Sequence, residues 1–178
     1  WASIDPIVIS AQIINGLQMI ISRETELTQA GAVITVGMIK GGIRNNIIPE
    51  EVTMVGTIRT LDYNMQKKLN ETMIKRTKAI AESYGATADI TIAAGIPITY
   101  NDPALTAEML PSLQKAVGKD HVILIKAITG AEDFSFYQKE IPGVYFFVGA
   151  KPLNVRPQDA PSHHTPDFYI DESGMKTG

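Results

Sequence analysis

Cysteine is absent from the 178 residues. This excludes a disulfide framework, a thiolate nucleophile and cysteine-ligated zinc within the chain. It leaves the redox compartment open, because a chain without thiols tolerates either environment. No apolar run approaches the roughly 20 residues of a membrane-spanning helix. A basic stripe is missing as well: 16 Lys and Arg stand against 19 Asp and Glu, with a pI near 5.6. Neither nucleic acid nor membrane is therefore an expected partner. Internal repeats and low-complexity tracts are lacking. What remains is 44% hydrophobic and 20% charged residues, enough for a sizeable core and too apolar for wholesale disorder. The length suits one domain or two small ones.

No signal peptide is visible, so the cytoplasm is the expected location. A secreted or periplasmic one stays open, because a chain beginning at Trp1 need not show its natural start. Asp171-Glu172-Ser173-Gly174-Met175-Lys176 reads as the opening of a helix with no chain left to complete it. The sequence thus reads as an internal piece of a longer protein.

Asp5-Pro6 starts a helix: Asp caps and Pro suits the first turn. Ile7, Ala11, Ile14, Leu17 and Ile21 recur at helical spacing and predict its apolar face, to an end near Glu24. Val33 to Ile39 is β-branched and predicts a strand, broken by Gly41-Gly42. Val52, Met54, Gly56 and Ile58 alternate with Thr53, Val55, Thr57 and Arg59, a strand with two distinct faces. Asp62 or Asn64 caps a second helix with an apolar line of Met65, Leu69, Met73, Ile80 and Tyr84, and Gly85 is a natural stop. The Lys and Arg residues on its other side read as a solvated face. Ala88 to Ala94 alternates as a further strand. One strand added in front of this series would make a split βαββαβ sandwich. After a linker at Pro97 to Asn101, Asp102-Pro103 starts a third helix, which Pro111 should kink or end early. His121 to Ile128 and Val144 to Val148 read as apolar strands, the latter buried on both faces.

Three stretches carry candidate chemistry. Ser162-His163-His164-Thr165-Pro166-Asp167-Phe168 places paired imidazoles after a Pro-rich loop, and neutral imidazole is a common metal ligand. An idle surface pair explains the same residues. Gly130-Ala131-Glu132-Asp133-Phe134 sets two carboxylates in a tight turn before a helix, whose amides suit an anion. Plain capping is the simpler account of it. Gly41-Gly42-Ile43-Arg44-Asn45-Asn46-Ile47-Ile48-Pro49 offers a turn and the neutral donor-acceptor Asn46. Arg59 follows, with a fork suited to a carboxylate. A hairpin loop and a solvated arginine are the bland alternative.

Taken in order, these stretches resemble the zinc-dependent aminoacylase and carboxypeptidase superfamily, peptidase family M20. The branch is the amidohydrolases that include hippurate hydrolases and the hydrolases of indole-acetyl amino acids. Asp5-Pro6-Ile7-Val8, Leu17-Gln18 with Ser22-Arg23-Glu24, Gly56-Thr57-Ile58-Arg59-Thr60, Pro142-Gly143 and His164-Thr165-Pro166 extend the match over essentially the whole chain.

The resemblance implies a ferredoxin-like split βαββαβ lid lacking its first strand over residues 1–97. Residues 98–178 would be the C-terminal segment of an α/β zinc-peptidase catalytic domain. It implies hydrolysis of the amide of N-acyl amino acids or small peptides, with two divalent ions (zinc, manganese, cobalt or nickel) activating water. It also implies a homodimer formed through the lid. His164 falls on the metal-ligand position and His163 beside it. Asn46 falls where an asparagine meets the scissile carbonyl, often in a partner protomer's site. Arg59 falls on the clamp for the substrate carboxylate. Gly130 and Glu132 fall in a turn that faces substrate, with Asp133 supporting it. The other ligands and the general base would lie upstream. Two alternatives stand beside this: an isolated lid and dimerisation module without catalysis, and a structural interaction domain with a C-terminal extension.

Overall fold

Asp5 opens the first helix as its sequence suggests. Its Oδ1 accepts the Ile7 N–H at 2.9 Å, and Pro6 occupies the first turn of α1 (Pro6–Met19). In this computed structural model, which describes residues 2–178, α1 buries Ile9, Ile13 and Leu17. The spacing predicts a different stripe through Ile7, and Ile7 is 46% exposed. The helix is apolar on more than one side, so periodicity alone does not select the inner face. Ile20–Glu24 continues as a π-helical turn, where the Thr25 hydroxyl donates to the Ile20 carbonyl at 2.8 Å.

Two antiparallel strands follow, β1 (Ala32–Gly41) and β2 (Val52–Thr60). Ala32 pairs with Thr60 and Gly41 with Val52, with a bulge at Gly37 between Val36 and Met38. Gly42, at φ +80, turns the chain out of β1 in a conformation that a side chain disfavours. Gly56 pairs with Val36 beside the bulge, and a Cβ there would lie 2.2 Å from the Thr35 carbonyl oxygen. Only glycine allows the strands to approach so closely at that point. Ile34 and Ile58 face inward, while Val33, Thr35, Val55, Thr57 and Arg59 lie on the outer, exposed face. The alternation expected of β2 is therefore present.

The Asp62 carboxylate caps α2 (Tyr63–Ser83), accepting the Met65 N–H at 2.7 Å. Met65, Leu69, Met73, Thr77 and Ala81 are buried against α1 and the inner face of the hairpin. The expected line holds through Met73. It then drifts, because Ile80 is only half-buried and Tyr84 is 50% exposed. Ala86, Ala88, Ile90 and Ile92 rest on this core in alternation with exposed Thr87, Asp89 and Thr91. The strand expected at 88–94 is nevertheless not formed. Its side-chain alternation is present, but a strand also needs a ladder of backbone hydrogen bonds, and no neighbour supplies one among the described residues. The sheet there has two strands.

The chain divides into two compact units. One comprises the residues up to Ile98 together with Ile128–Glu132, the other Thr99–Ala127 and Asp133–Gly178. In the second unit, Asp102 caps α3 (Pro103–Val117) through the Leu105 N–H at 2.8 Å. Of the two outcomes expected of Pro111, an early end does not occur. Ala107, whose carbonyl Pro111 cannot bond, is exposed, and α3 buries no residue, so water can serve the freed group. A short α4 (Phe134–Gln138) follows, with Ser135 only 1% exposed.

The apolar runs at 121–128 and 144–148 do not form strands. Neither pairs with another strand among the described residues, and Phe146, Phe147 and Val148 are exposed, so the burial on both faces expected of 144–148 fails. The Asn101 side chain acts as a partial neighbour. Its Nδ2 donates to the Tyr145 carbonyl at 2.8 Å, and its Oδ1 accepts the Tyr145 N–H at 2.7 Å. The rings of Phe134, Tyr145 and Phe147 stack in series, 5.7 and 5.3 Å between centroids. Residues Glu172–Lys176 close the chain as a 3-10 turn capped by Asp171. No helix among the described residues is long and apolar enough to cross a membrane.

Candidate functional site

β2 carries Arg59 to its second-last position, opposite Val33. Strand alternation points it to the outer face, where it is exposed. Its Nη1 donates to the Thr129 carbonyl at 2.7 Å. Thr129 immediately precedes Gly130 and lies in the segment Ile128–Glu132, which groups with the first unit. Arg59 and the acidic turn are thus brought together. Gly130 is exposed and Glu132 half-buried, while Asp133 belongs to the second unit and sits at the start of α4.

Asn46 lies in the loop joining β1 to β2. The turn there is closed by the Ile47 N–H on the Arg44 carbonyl at 3.4 Å. Asn46 is exposed, and so are its apolar neighbours Ile43 at 88%, Ile47 and Ile48. The loop of Asn46 joins β2 at the end remote from Arg59. Val52 marks the loop end of β2 and Arg59 the other end. Seven residues at about 3.3 Å each separate them by about 23 Å.

His164 belongs to the second unit and is exposed. Its backbone has φ 63, the one positive value at a non-glycine residue among those described. A residue with a Cβ held in this region costs on the order of 1–3 kcal/mol, and such residues gather at functional sites. The turn that imposes it is fastened on both sides. The Thr165 hydroxyl donates to the Ser162 carbonyl at 2.8 Å, and the Phe168 N–H to the Thr165 carbonyl at 3.1 Å. His163 packs its ring 4.8 Å from Phe168. The two neighbouring imidazoles therefore differ: His163 leans on an aromatic ring, and His164 stands at the strained position. The third histidine, His121, places Nδ1 2.7 Å from the Val117 carbonyl at the end of α3.

Two groups that sequence reasoning overlooked help to shape these segments. The Lys151 ammonium donates to the Pro152 carbonyl at 2.6 Å and to the Val155 carbonyl, pinning the Pro-rich loop before His163. The Thr129 carbonyl receives Arg59. Backbone acceptors carry no residue-type signal, so neither partner set was readable from the sequence. Among the described residues, no group of three or more His, Cys, Asp or Glu is placed to hold a metal ion. His164 offers one ligand, and a closed or catalytic zinc site needs three or more from protein.

The profile of Peptidase family M20/M25/M40 matches residues 10–178. The chain belongs to this family. It is 36% identical over 177 residues to thermostable carboxypeptidase 2 of Saccharolobus solfataricus, covering 99% of this chain and 44% of the relative. It is 34% identical over 171 residues to the N-acetyl-L-cysteine deacetylase of Bacillus subtilis, covering 96% of this chain and 39% of the relative. A crystal structure of the Bacillus subtilis YXEP protein, a dinuclear metal-binding peptidase of family M20, superposes with a TM-score of 0.73. That match has 28% identity and covers 97% of this chain and 43% of the other. This M20 chain therefore spans less than half the length of the relatives it matches. Relatives named as carboxypeptidases and deacetylases make the family one of hydrolases, and the YXEP protein is described as binding a dinuclear metal centre.

Proposed function

We propose that these residues form part of a metal-dependent amidohydrolase that cleaves the amide of N-acyl amino acids or small peptides. The observation that carries this reading is His164, a potential ligand held at φ 63 on a fastened turn within a metallopeptidase family sequence. Residues 1–97 would serve as the lid and residues 98–178 as the C-terminal segment of the catalytic domain. His164 would supply one metal ligand. The described residues do not complete a metal site. The remaining ligands and the proton-moving glutamate would come from the part of such enzymes that this chain does not match. When bound, two divalent ions would supply the activated water and the polarised carbonyl.

The chain's own residues would bind and orient. Arg59 would grip the carboxylate of the amino-acid half, where a guanidinium fork gives both energy and geometry. Asn46 would donate to the oxygen that gains charge as water adds, a contact worth on the order of 10²-fold or more in rate. Gly130 and Glu132 would border the same substrate. The 178 residues alone would not turn over substrate, because a single imidazole cannot assemble a catalytic centre.

A second reading, that of a lid and dimerisation module, is favoured by the free edge of β1. A groove of about 360 Å³ runs there, lined by Ile14, Gln18, Ile34, Val36, Met38 and Ile39 among others. The Ile34 carbonyl accepts the Gln18 side-chain amide there at 3.1 Å, but that edge pairs with no further strand among the described residues, and such an edge with apolar flanks is a template for a second copy of the lid. The two readings are compatible when the module belongs to a dimeric enzyme.

The test is a panel of N-acyl amino acids and their carboxamide counterparts, offered to the full-length gene product with added divalent metal. Cleavage of the acids, abolished by chelation, supports the reading. No cleavage of any acid with zinc, manganese, cobalt or nickel removes it.

A further inference from the structure

We infer that Arg59 is also a positioning residue, whose guanidinium holds the Gly130–Glu132 turn with one edge while its other edge stays open for a carboxylate. The carboxylate half of this inference rests on the function proposed above; the turn-holding half does not. The juxtaposition is specific. Nη1 donates to the Thr129 carbonyl at 2.7 Å across 70 positions of sequence. Nε and Nη2 make no hydrogen bond among the described residues, and together they form the planar edge that meets a carboxylate bidentately.

The surroundings support both halves. Val33, Thr35, Val55 and Thr57 share the outer face of the hairpin with Arg59, and none is acidic. The strand pair therefore offers no carboxylate of its own on that face. Of the segment that Arg59 holds, Ile128 is 56% exposed and Thr129, Gly130 and Ala131 are exposed as well, while Glu132 is half-buried. Yet Ile128–Glu132 groups with the first unit although its sequence neighbours on both sides group with the second. A hydrogen bond from a charged donor is stronger than one between neutral groups, and is the kind of contact that can anchor such a segment.

The consequence is a coupling. The side chain that would bind the ligand carboxylate also sets where Gly130 and Glu132 stand. Binding at the open edge uses donors other than Nη1, so it leaves the hold on the Thr129 carbonyl in place rather than competing with it. Lysine cannot do both, because its ammonium has no planar second edge.

The experiment is NMR on the 178-residue chain with carbonyl-¹³C threonine, comparing wild type, Arg59→Gln and Arg59→Lys, each with and without N-acetylglycine. Without ligand, Arg59→Gln should move the Thr129 carbonyl resonance toward its solvent-exposed value. It should also lower the order parameters of Gly130, Ala131 and Glu132 from the rigid range near 0.85 to below about 0.6. Unchanged order in α1 and α2 shows that the variant is folded. Arg59→Lys should keep most of the Thr129 shift and lose the response to N-acetylglycine. In wild type, N-acetylglycine should perturb the Arg59 Nε resonance and leave the Thr129 carbonyl where it was.

An unchanged Thr129 carbonyl and turn in Arg59→Gln overturns the turn-holding role and leaves the carboxylate reading intact. A Thr129 carbonyl that N-acetylglycine moves as far as Arg59→Gln does shows displacement, and overturns the two-edge arrangement alone. An Arg59 Nε that ignores N-acetylglycine at saturating concentration overturns the open-edge half of the inference together with the carboxylate reading, and leaves the turn-holding half to be decided by Arg59→Gln.

Discussion

Val52, where the loop of Asn46 joins β2, and Arg59 stand at opposite ends of one strand, about 23 Å apart by strand rise and on a ladder whose register runs from Gly41–Val52 to Ala32–Thr60. Asn46 thus enters β2 from the end remote from Arg59. The proposed reading that Asn46 serves a partner protomer's site has a direct test. Mixing an inactive Asn46→Ala enzyme with an inactive Arg59→Ala enzyme should then restore activity, up to about a quarter of wild type for random exchange of subunits. The rate of the re-associated mixture measures it. No recovery in a mixture shown to contain heterodimers contradicts site sharing.

Gly56 controls the register on which Arg59 depends. A Cβ at this position would meet the Thr35 carbonyl oxygen at 2.2 Å, and backbone cannot yield as a side-chain tip can. Gly56→Ala should therefore part the strands beside the bulge and displace Arg59, three residues on. The expected outcome is a loss of about 1–3 kcal/mol in stability. Loss of the cross-strand nuclear Overhauser contacts between Val36 and Gly56 would report it directly. Wild-type stability and contacts in the variant would contradict this.

Thr77 is 6% exposed in the core beneath the hairpin, and its hydroxyl has no partner among the described residues. A buried hydroxyl without a bond costs about 1–3 kcal/mol. Thr77→Val keeps the branched shape and removes the polar atom, so the variant should gain about 1 kcal/mol. Urea denaturation compares the two. By contrast Leu69→Ala, at a residue 2% exposed, should lose about 2–5 kcal/mol through the cavity it leaves.

Asp171 gives a local pH response. Hydrogen bonds from the Ser173 side chain and backbone hold its carboxyl below the ordinary value of 3.8. A depressed folded-state value favours the capped turn above the unfolded pKa, and that contribution is lost as the pH falls through the folded value. The Glu172–Lys176 turn should hold at neutral pH and fray only below about pH 4. The Ser173 amide shift in a pH titration follows this. Fraying between pH 7 and 5 would contradict it.

Much of the local structure was legible from residue types. The Asp5, Asp62 and Asp102 caps, the two paired strands and the outward side of β2 follow from short-range chemistry that each segment contains within itself. What failed depended on neighbours. Residues 88–94, 121–128 and 144–148 have strand patterns, but a strand exists only where another backbone completes its ladder. Pro111 failed as a helix breaker because α3 is exposed, so its freed carbonyl costs little. At the candidate site, Arg59 and His164 stood out by residue type. The Thr129 carbonyl, the Lys151 clamp and the backbone strain at His164 did not, because they arise from geometry rather than from a residue pattern.

Metal stoichiometry by elemental analysis of the full-length gene product, wild type against His164→Ala, tests the central claim most directly. The account predicts two divalent ions per wild-type subunit, and fewer than two with activity down at least 10²-fold in the variant. Two ions and wild-type hydrolysis in His164→Ala would contradict it.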